Sequence, residues 1–358
     1  MGNSDNYTKQ NGINKRNSRI IISRTDNIGD VVLALPMAGA IKKAIPGAYI
    51  IFLGKAYTKD IVSLSKNIDE FADWEQIKAL PKAEQINCFK NFCADYIVHA
   101  FPQAEIARLA KKAGIRKRIG TTGRTYHWST CNKLIAFSRR RSKLHEAQLN
   151  IKLLRALGIN RYFSQADIIK CYNLVAPNVL PDVYRNMIDN TRFNLLLHPK
   201  SKGSAREWNI KNYAELINIL PTDKFNIFVS GTEAERDFID EHLASHPNFT
   251  NLAGKLTLEQ FISFIANADG MVACSTGPLH IAAALGKFAF GIYPPIKPMH
   301  PARWAPLGVN AWFLVSPTKC NKCRTGAHCE CIDSITPHMV KAKLMEVFST
   351  ESSDVHIH

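Results

Sequence analysis

Two short stretches in the second half of the 358-residue chain carry the residue types that can hold a diphosphate. The first is His198-Pro199-Lys200-Ser201-Lys202-Gly203-Ser204-Ala205-Arg206-Glu207-Trp208, directly after an apolar run. Its cations neutralise phosphate oxygens, its serines donate hydrogen bonds, and Gly203 lets backbone N–H groups come close. The G-x-x-x-x-G-K-[ST] spacing of a Walker loop is absent. A basic loop of this kind also reads as simply solvated. The second stretch, Cys274-Ser275-Thr276-Gly277-Pro278-Leu279-His280, is more specific. A strand ends, small residues turn the chain, and Pro278 opens a helix in its first turn. Such a helix start offers free N–H donors and the positive end of the helix dipole. Ser275, Thr276 and His280 add side-chain donors on the same rim. The alternative for His280 is a buried helix histidine.

Carboxylates complete the set. Glu233 and Glu235 follow the Ser230-Gly231 turn, where they can accept from a ribose or an adenine amino group, or complement a helix dipole. In the first half, Gly29-Asp30 lies at the mouth between the first strand and the first helix. Transfer of an activated group to a hydroxyl needs a base, and a carboxylate facing the diphosphate loops across a cleft is placed for it. The competing role for Asp30 is a helix cap. No Asp-x-Asp occurs in the sequence to position a divalent metal. Cations and a helix dipole are expected to serve instead, with no cofactor required for catalysis.

These residues need a scaffold of strands and helices, and the sequence supplies one twice. Arg19-Ile20-Ile21-Ile22-Ser23 is a continuous apolar run, as in a buried parallel strand. A helical pattern over Val31 to Ala44 follows, then Pro46-Gly47 and a second strand at Tyr49 to Leu53, making a βαβ unit. The alternation continues through strands near Tyr96–His99 and Arg118–Gly120 and a helix over His145 to Leu157. It restarts at Phe193 to His198 and runs through Phe225–Ser230, Gly270–Cys274 and Phe288–Tyr293, with helices between. The expected organisation is a polar extension (1–18), a Rossmann-like acceptor domain (19–175), a linker (176–192), a second Rossmann-like donor domain (193–347) and a polar tail (348–358).

Composition sets the class. Hydrophobic residues at 46% and charged residues at 21% describe a globular protein, and no apolar run reaches the ~18 residues of a membrane span. The polar start of the chain predicts no signal peptide and hence a cytoplasmic location. Nine cysteines are then expected to stay reduced. Cys88, Cys93, Cys131, Cys171 and Cys274 read as small core residues. Cys320-x2-Cys323-x5-Cys329-x-Cys331 has the residues for a structural zinc or iron site, though the second pair is closer than a common zinc knuckle allows. The net charge of +16 is concentrated: Arg108 to Lys143 holds twelve Lys or Arg and no acid. Such a block meets something anionic, either a phosphorylated lipid or nucleic acid, or stays a solvated face. A nicotinamide dehydrogenase fits poorly, because no G-x-G-x-x-G follows the first strand.

Taken together, these residues resemble glycosyltransferase family 9, the lipopolysaccharide heptosyltransferases. Arg24-Thr25-Asp26-Asn27-Ile28-Gly29-Asp30-Val31-Val32 is similar to the family's N-terminal motif. The His198–Trp208 loop, Gly231-Thr232-Glu233-Ala234-Glu235, Ser275–His280, Pro298-Met299-His300-Pro301 and Arg303-Trp304 are similar to its later motifs, in its order. The resemblance covers roughly residues 19 to 345. It implies a GT-B fold and inverting transfer of a heptose from ADP-L-glycero-β-D-manno-heptose to the lipopolysaccharide inner core. It makes Asp30 the catalytic base and puts Ser201, Lys202 and Arg206 at phosphate- and sugar-contacting positions. It sets Glu235 and Leu256 beside the nucleoside, and gives Ser275, Thr276, Gly277 and His280 the diphosphate and sugar. Ser275 stands where some members carry Asp, and Arg206 where some carry Lys. Some members act on other acceptors, including protein. The expected partners are an ADP-sugar and a phosphorylated lipid acceptor at the cytoplasmic face of the inner membrane. Residues 108–143, with Tyr126, Trp128 and Phe137, are expected to contact that anionic surface rather than a specific nucleic acid.

Overall fold

A computed structural model describes residues 17–243, 246, 248–297, 299–317 and 330–353. Ile20, Ile21 and Ile22 are fully buried in β1 (Arg19–Ser23), which explains the unbroken apolar run: neighbouring strands flank it and both its faces are covered. Its sheet adds β2 (Tyr49–Gly54), β3 (Glu70–Asp73), β4 (Tyr96–His99), β5 (Lys117–Thr121) and β6 (Lys133–Ile135). A second sheet holds β7 (Phe193–His198), β8 (Phe225–Val229), β9 (Thr250–Asn251), β10 (Gly270–Cys274), β11 (Phe288–Tyr293) and β12 (Ala311–Val315). The orders are β3-β2-β1-β4-β5-β6 and β12-β11-β10-β7-β8-β9, six strands each, with every pairing parallel. Each sheet reverses its winding beside its first strand, between β1 and β4 and between β7 and β10. Ligands bind open α/β sheets at such crevices.

The local sequence explains several departures from the expected elements. The pattern over Val31 to Ala44 is broken into a short helix, Ile28–Val32, and a second, Pro36–Ala44. Pro36 has no N–H for a continuing ladder and starts the second helix at its first position. His145 to Leu157 becomes the helix Glu146–Lys152, capped by the His145 side chain, then a 3₁₀ turn over Leu153–Leu157 that stops at left-handed Gly158. The expected linker contains one short helix, Asp182–Arg185. Edge strands β3, β6 and β9 escape sequence reading because they are short and partly polar, and the five-residue edge strand β12 falls outside the expected strands as well.

Apolar packing runs through the junction of the two sheets. One core cluster joins Ile20, Ile22 and Val31 to Leu196, Phe228, Leu279 and Ile281. A second fills the other face of the C-terminal sheet around Trp208 and Tyr213. A third fills the other face of the N-terminal sheet around Trp74 and Phe89. The helix Ile28–Val32 packs against the helix Gly277–Ala284, so the mouths of the two sheets meet. Two glycines permit this approach: a Cβ on Gly29 would lie 3.0 Å from the His280 ring, and one on Gly277 would lie 2.9 Å from Ile28 Cγ2.

Cys131, Cys171 and Cys274 are buried, as a core role requires, whereas Cys88 is half-buried and Cys93 is exposed. The expectation for Cys93 is corrected: it ends the turn after the helix Lys82–Asn91 with a positive φ of 48° and faces solvent. Cys320, Cys323 and Cys329 lie outside the described residues, as does Pro298, and Cys331 is buried on the helix Glu330–Asp333.

A Cβ on Gly39 would come 2.0 Å from the carbonyl oxygen of Cys171, a backbone atom with no rotamer to escape through. Gly39→Ala is expected to destabilise the protein by ~1–3 kcal/mol through overpacking. The urea midpoint would fall, and an unchanged midpoint would show that the two backbones can separate freely.

Candidate active site

A cleft of about 990 Å³ separates the two sheets at their carboxyl ends. Its N-terminal wall is the turn Asn27-Ile28-Gly29-Asp30 with Tyr57. Its C-terminal wall takes in Lys200 to Ser204, Ser230 to Glu233, Glu235, Leu256, Phe261, Ser275 to Pro278, His280, Arg303 and Trp304. Nearly every residue singled out from sequence therefore borders one space. Arg206 is the exception: it is half-buried and does not line the cleft.

The helix Gly277–Ala284 points its N-terminus into the cleft, with Thr276 as N-cap residue and Pro278 in the first turn. Thr276 does not cap with its own side chain. Its Oγ1 is buried and has no hydrogen-bond partner among the described residues, and the same holds for Nδ1 of buried His280. Buried polar atoms are ordinarily paired, so these two are available to a ligand in the cleft. Burial, with a smaller push from His145, lowers the His280 pKa to about 3. His280 is thus a neutral hydrogen-bonding group at physiological pH, not a cation. The Tyr293 hydroxyl, beside Ser275, donates to the Trp304 carbonyl at 2.5 Å.

The loop after β7 is held from both ends. Trp208 is buried; its backbone N–H donates to Cys274 Sγ at 3.2 Å and its indole to the Ile335 carbonyl at 2.8 Å. Glu207 accepts from the Ser201 N–H at 2.8 Å and the Ser201 hydroxyl at 3.0 Å. Glu207 also pairs with Lys200 at 2.6 Å, and Lys200 lies 4.4 Å from the centre of the Phe238 ring. Lys200 and Ser201 are therefore fixed to Glu207, and Lys202 is the exposed cation at the loop tip. Lys202 has a φ of 50° and Gly203 of 78°, a double left-handed turn that lifts the tip over the cleft. Glu235 accepts from the Thr232 N–H at 2.7 Å in a capping box, so its local role as a cap is realised while it still borders the cleft.

Across the cleft, Asp30 does not cap its helix. Asn27 is the N-cap residue, and Asp30 pairs with Arg24 at the end of β1. Arg24 is 2% exposed and is held by Asp26 at 2.7 Å, Glu146 at 3.2 Å and Asn150 at 3.0 Å. Glu146, itself buried, takes three arginines: Arg24 and Arg139 (3.0 Å) on Oε1, and Arg303 (2.9 and 3.1 Å) on Oε2. Burial pushes the Glu146 pKa up, but Arg139, Arg24 and Arg303 outweigh it and hold it below the usual carboxylate range. Asp26 and Asp30 go the other way. Burial, opposed by Arg24, raises Asp26 to about 6 and raises Asp30 as well, the latter helped by the nearby Glu146 charge. A carboxylate raised toward neutrality and open to a cleft has the properties of a general base.

The basic segment divides in the structure. Arg139 is corrected from a surface contact to a member of the buried cluster, donating also to the Ala100 carbonyl and Asn150. Arg118 donates to the Ile115 and Thr130 carbonyls, and Arg116 pairs with Asp95. Phe137 packs partly against the core with Arg139 and Lys152 beside its ring, so it is not the free apolar contact expected. Arg124, Lys133, Arg140, Arg141 and Lys143 are exposed, as is Trp128 at 66%.

Sequence reading did not single out Glu146, Asn150 or Arg139 for the site, and placed Arg24, Asp26 and Arg303 only inside motifs. An arginine just past the buried Ile20–Ile22 run was a usable signal for Arg24, because a charge drawn into the core there must find a buried partner.

Two parallel six-stranded sheets of matching order, facing each other over a cleft with a carboxylate on one wall and a helix N-terminus on the other, define a GT-B glycosyltransferase architecture. The chain belongs to glycosyltransferase family 9: residues 94–331 match the family described as Glycosyltransferase family 9 (heptosyltransferase). Lipopolysaccharide heptosyltransferase 1 of Salmonella typhimurium is 23% identical over 298 residues, covering 78% of this chain and 89% of that protein. The structure of E. coli ADP-heptose LPS heptosyltransferase II superposes with a TM-score of 0.73 at 20% identity, covering 94% of this chain and 99% of that one. E. coli heptosyltransferase WaaC with ADP gives a TM-score of 0.68 at 18% identity, covering 92% and 99%. At these identities the likeness to the solved structures bears on the fold.

The exposed left-handed Lys202 separates charge from folding. Lys202→Gly relieves the backbone strain but adds unfolded-chain entropy, and the two offset to within about 1 kcal/mol. The urea midpoint is expected to stay near wild type while nucleoside-diphosphate affinity, read by calorimetry, falls roughly tenfold, as for loss of one charge-assisted contact. Unchanged affinity would remove Lys202 from the site.

Proposed function

We propose that this family 9 glycosyltransferase transfers a heptose from an ADP-activated heptose, with inversion, onto the inner core of lipopolysaccharide at the cytoplasmic face of a membrane. The observation that carries the reading is that Asp30 shares one cleft with the helix N-terminus at Gly277, Thr276 Oγ1 and His280 Nδ1. The diphosphate would lie against that helix start and Lys202, and the nucleoside beside Leu256 and Glu235. An acceptor hydroxyl on the N-terminal side attacks the anomeric carbon as its bond to the β-phosphate oxygen breaks. Its proton passes to Asp30, and the electron pair leaves on the diphosphate. Family membership and the 23% identity to a lipopolysaccharide heptosyltransferase support the choice of donor and acceptor. WaaC, solved with ADP, supports the nucleotide.

The charge count favours the step. Arg24, Arg139 and Arg303 balance Glu146, Asp26 and Asp30 while Asp30 is ionised. Once Asp30 takes the proton the cluster gains a positive charge, as negative charge grows on the departing diphosphate across the cleft. Electrostatic stabilisation of developing charge is where such sites gain most.

The primary test is release of ADP from a panel of nucleotide sugars, with and without truncated lipopolysaccharide. ADP-heptose with lipopolysaccharide is expected to turn over fastest. Faster turnover with another sugar or with a protein acceptor would replace this reading. Asp30→Asn is expected to lower turnover by roughly 10²–10⁴-fold with nucleotide affinity retained. A variant keeping half of wild-type turnover would move the base elsewhere. The acid limb of the rate profile is expected above the ordinary carboxylate value of about 4, because Asp30 is raised and must be ionised to act. Activity is expected to survive EDTA, and loss restored by Mg²⁺ would overturn the metal-free mechanism.

The exposed Arg140 and Arg141 suit an anionic acceptor surface, at about 1 kcal/mol per basic residue near anionic headgroups. Arg140→Glu with Arg141→Glu is expected to raise the KM for lipopolysaccharide and spare nucleotide binding. Arg139 is left intact, since its removal would disturb the buried cluster. Unchanged acceptor kinetics, with tight sequence-specific nucleic-acid binding at physiological salt, would favour a nucleic-acid role instead.

A further inference from the structure

Among the described residues, Arg303 is the sole cation of the Glu146 cluster supplied by the C-terminal half. It sits on the short helix Pro301–Trp304 after β11 and grips Glu146 Oε2 through both Nε and Nη2, at 3.1 and 2.9 Å. Glu146 opens a helix of the N-terminal half, and its other oxygen meets Arg24 Nη1 at 3.2 Å. Arg24 in turn holds Asp30 through Nη2. A continuous chain of ion pairs therefore runs from the C-terminal half to the base: Arg303, Glu146, Arg24, Asp30. Beside it, His145 Nε2 lies 3.0 Å from the Ala305 carbonyl, so the same two segments meet twice.

We propose that Arg303 is an interdomain latch and a positioning residue for Asp30: by engaging Glu146 it closes the two halves and sets the field in which Asp30 carries its proton. The proposal rests on Asp30 being the base. When the halves are engaged, Arg303 brings a positive charge to the cleft and neutralises part of Glu146, and both effects favour ionised Asp30. With the halves engaged, removing the Arg303 charge alone leaves Glu146 with one fewer cation close to Asp30, and Asp30 holds its proton more tightly. The ionisation of the base is thereby tied to a charge that the C-terminal half supplies.

The field at Asp30 has several sources. Arg24 and Asp26 face it from the end of β1 and the following turn, and Glu146 and Arg303 from the cluster. Arg139 contributes through Glu146. Tyr57, whose hydroxyl donates to the Asp26 carbonyl at 2.7 Å, approaches from the 3₁₀ turn Ala56–Thr58. The neutral His280 ring lies against Gly29, and His145, whose pKa burial lowers, adjoins Glu146. Arg303 and Glu146 carry opposite charges, so removing either breaks the same latch but moves Asp30 in opposite directions. A purely structural contact has no such signature.

The test is titration of Asp30 in the substrate-free full chain, labelled with ¹³C at aspartate carboxyls and assigned by loss of the resonance in Asp30→Asn. Arg303→Gln is expected to move the Asp30 midpoint to higher pH by roughly half a pH unit to one unit, the effect of one charge beyond direct contact in a partly wet cleft. Glu146→Gln is expected to move it to lower pH, and Arg303→Lys, which keeps the charge, to leave it near wild type. With substrate, the acid limb of the rate profile should follow the same directions. Arg303→Gln should also raise the radius of gyration in solution scattering, with Arg303→Lys intermediate. Arg303 is only partly buried, so Arg303→Gln remains informative should Glu146→Gln fail to fold. An Asp30 midpoint indifferent to Arg303→Gln, or displaced in the same direction by both neutral variants, would overturn the latch. A shifted midpoint with no turnover on any nucleotide sugar would keep the latch and remove the proposed reaction.

Discussion

Glu146 is the point on which the site depends. A carboxylate with a side chain 1% exposed is stable only because three guanidinium groups meet it, and each arginine comes from a different segment. Breaking a buried pair by removing one partner costs about 3–5 kcal/mol, because the other charge is left stranded. The cluster therefore fixes the end of β1, the start of the helix Glu146–Lys152, the Arg139 loop and the helix Pro301–Trp304 relative to each other. Asp30 inherits its place from that arrangement through Arg24.

The same electrostatics distribute roles among carboxylates of similar intrinsic acidity. Glu146, with three arginines, is pulled below the usual range and stays ionised. Asp26 and Asp30 share one arginine at the edge of the cleft, and desolvation raises both. Environment, not residue type, makes one carboxylate structural and another suited to proton transfer. On the opposite wall, burial keeps His280 neutral, so the positive charge that faces the cleft is that of Lys202, Arg303 and the helix dipole.

The two halves are joined by apolar contact as well as by charge. The helices Ile28–Val32 and Gly277–Ala284 pack closely because Gly29 and Gly277 lack side chains where the Ile28 and His280 side chains sit. The motif glycines thus serve the fit between the halves. This close approach brings the Asp30 turn and the N-terminus of the helix Gly277–Ala284 to one cleft.

Local sequence determined the elements whose signals are local. The runs at Ile20–Ile22 and Leu195–Leu197 announced buried parallel strands because both faces of such strands are covered. Pro278 after small residues announced a helix start, and the Lys200–Arg206 segment after the Leu195–Leu197 run announced a loop. Short edge strands such as β9, two residues long, left no periodicity to read. The partners of the charges were decided only by the tertiary structure. Arg24 and Glu146 are 122 residues apart in sequence, and Glu146 and Arg303 are 157 apart. Arg139 and its neighbour Arg140 are indistinguishable in a basic run, yet one is locked to Glu146 and the other is exposed. A residue's type gives its charge, but whether that charge meets water, a ligand or a buried counter-ion depends on which distant segments the fold brings to it.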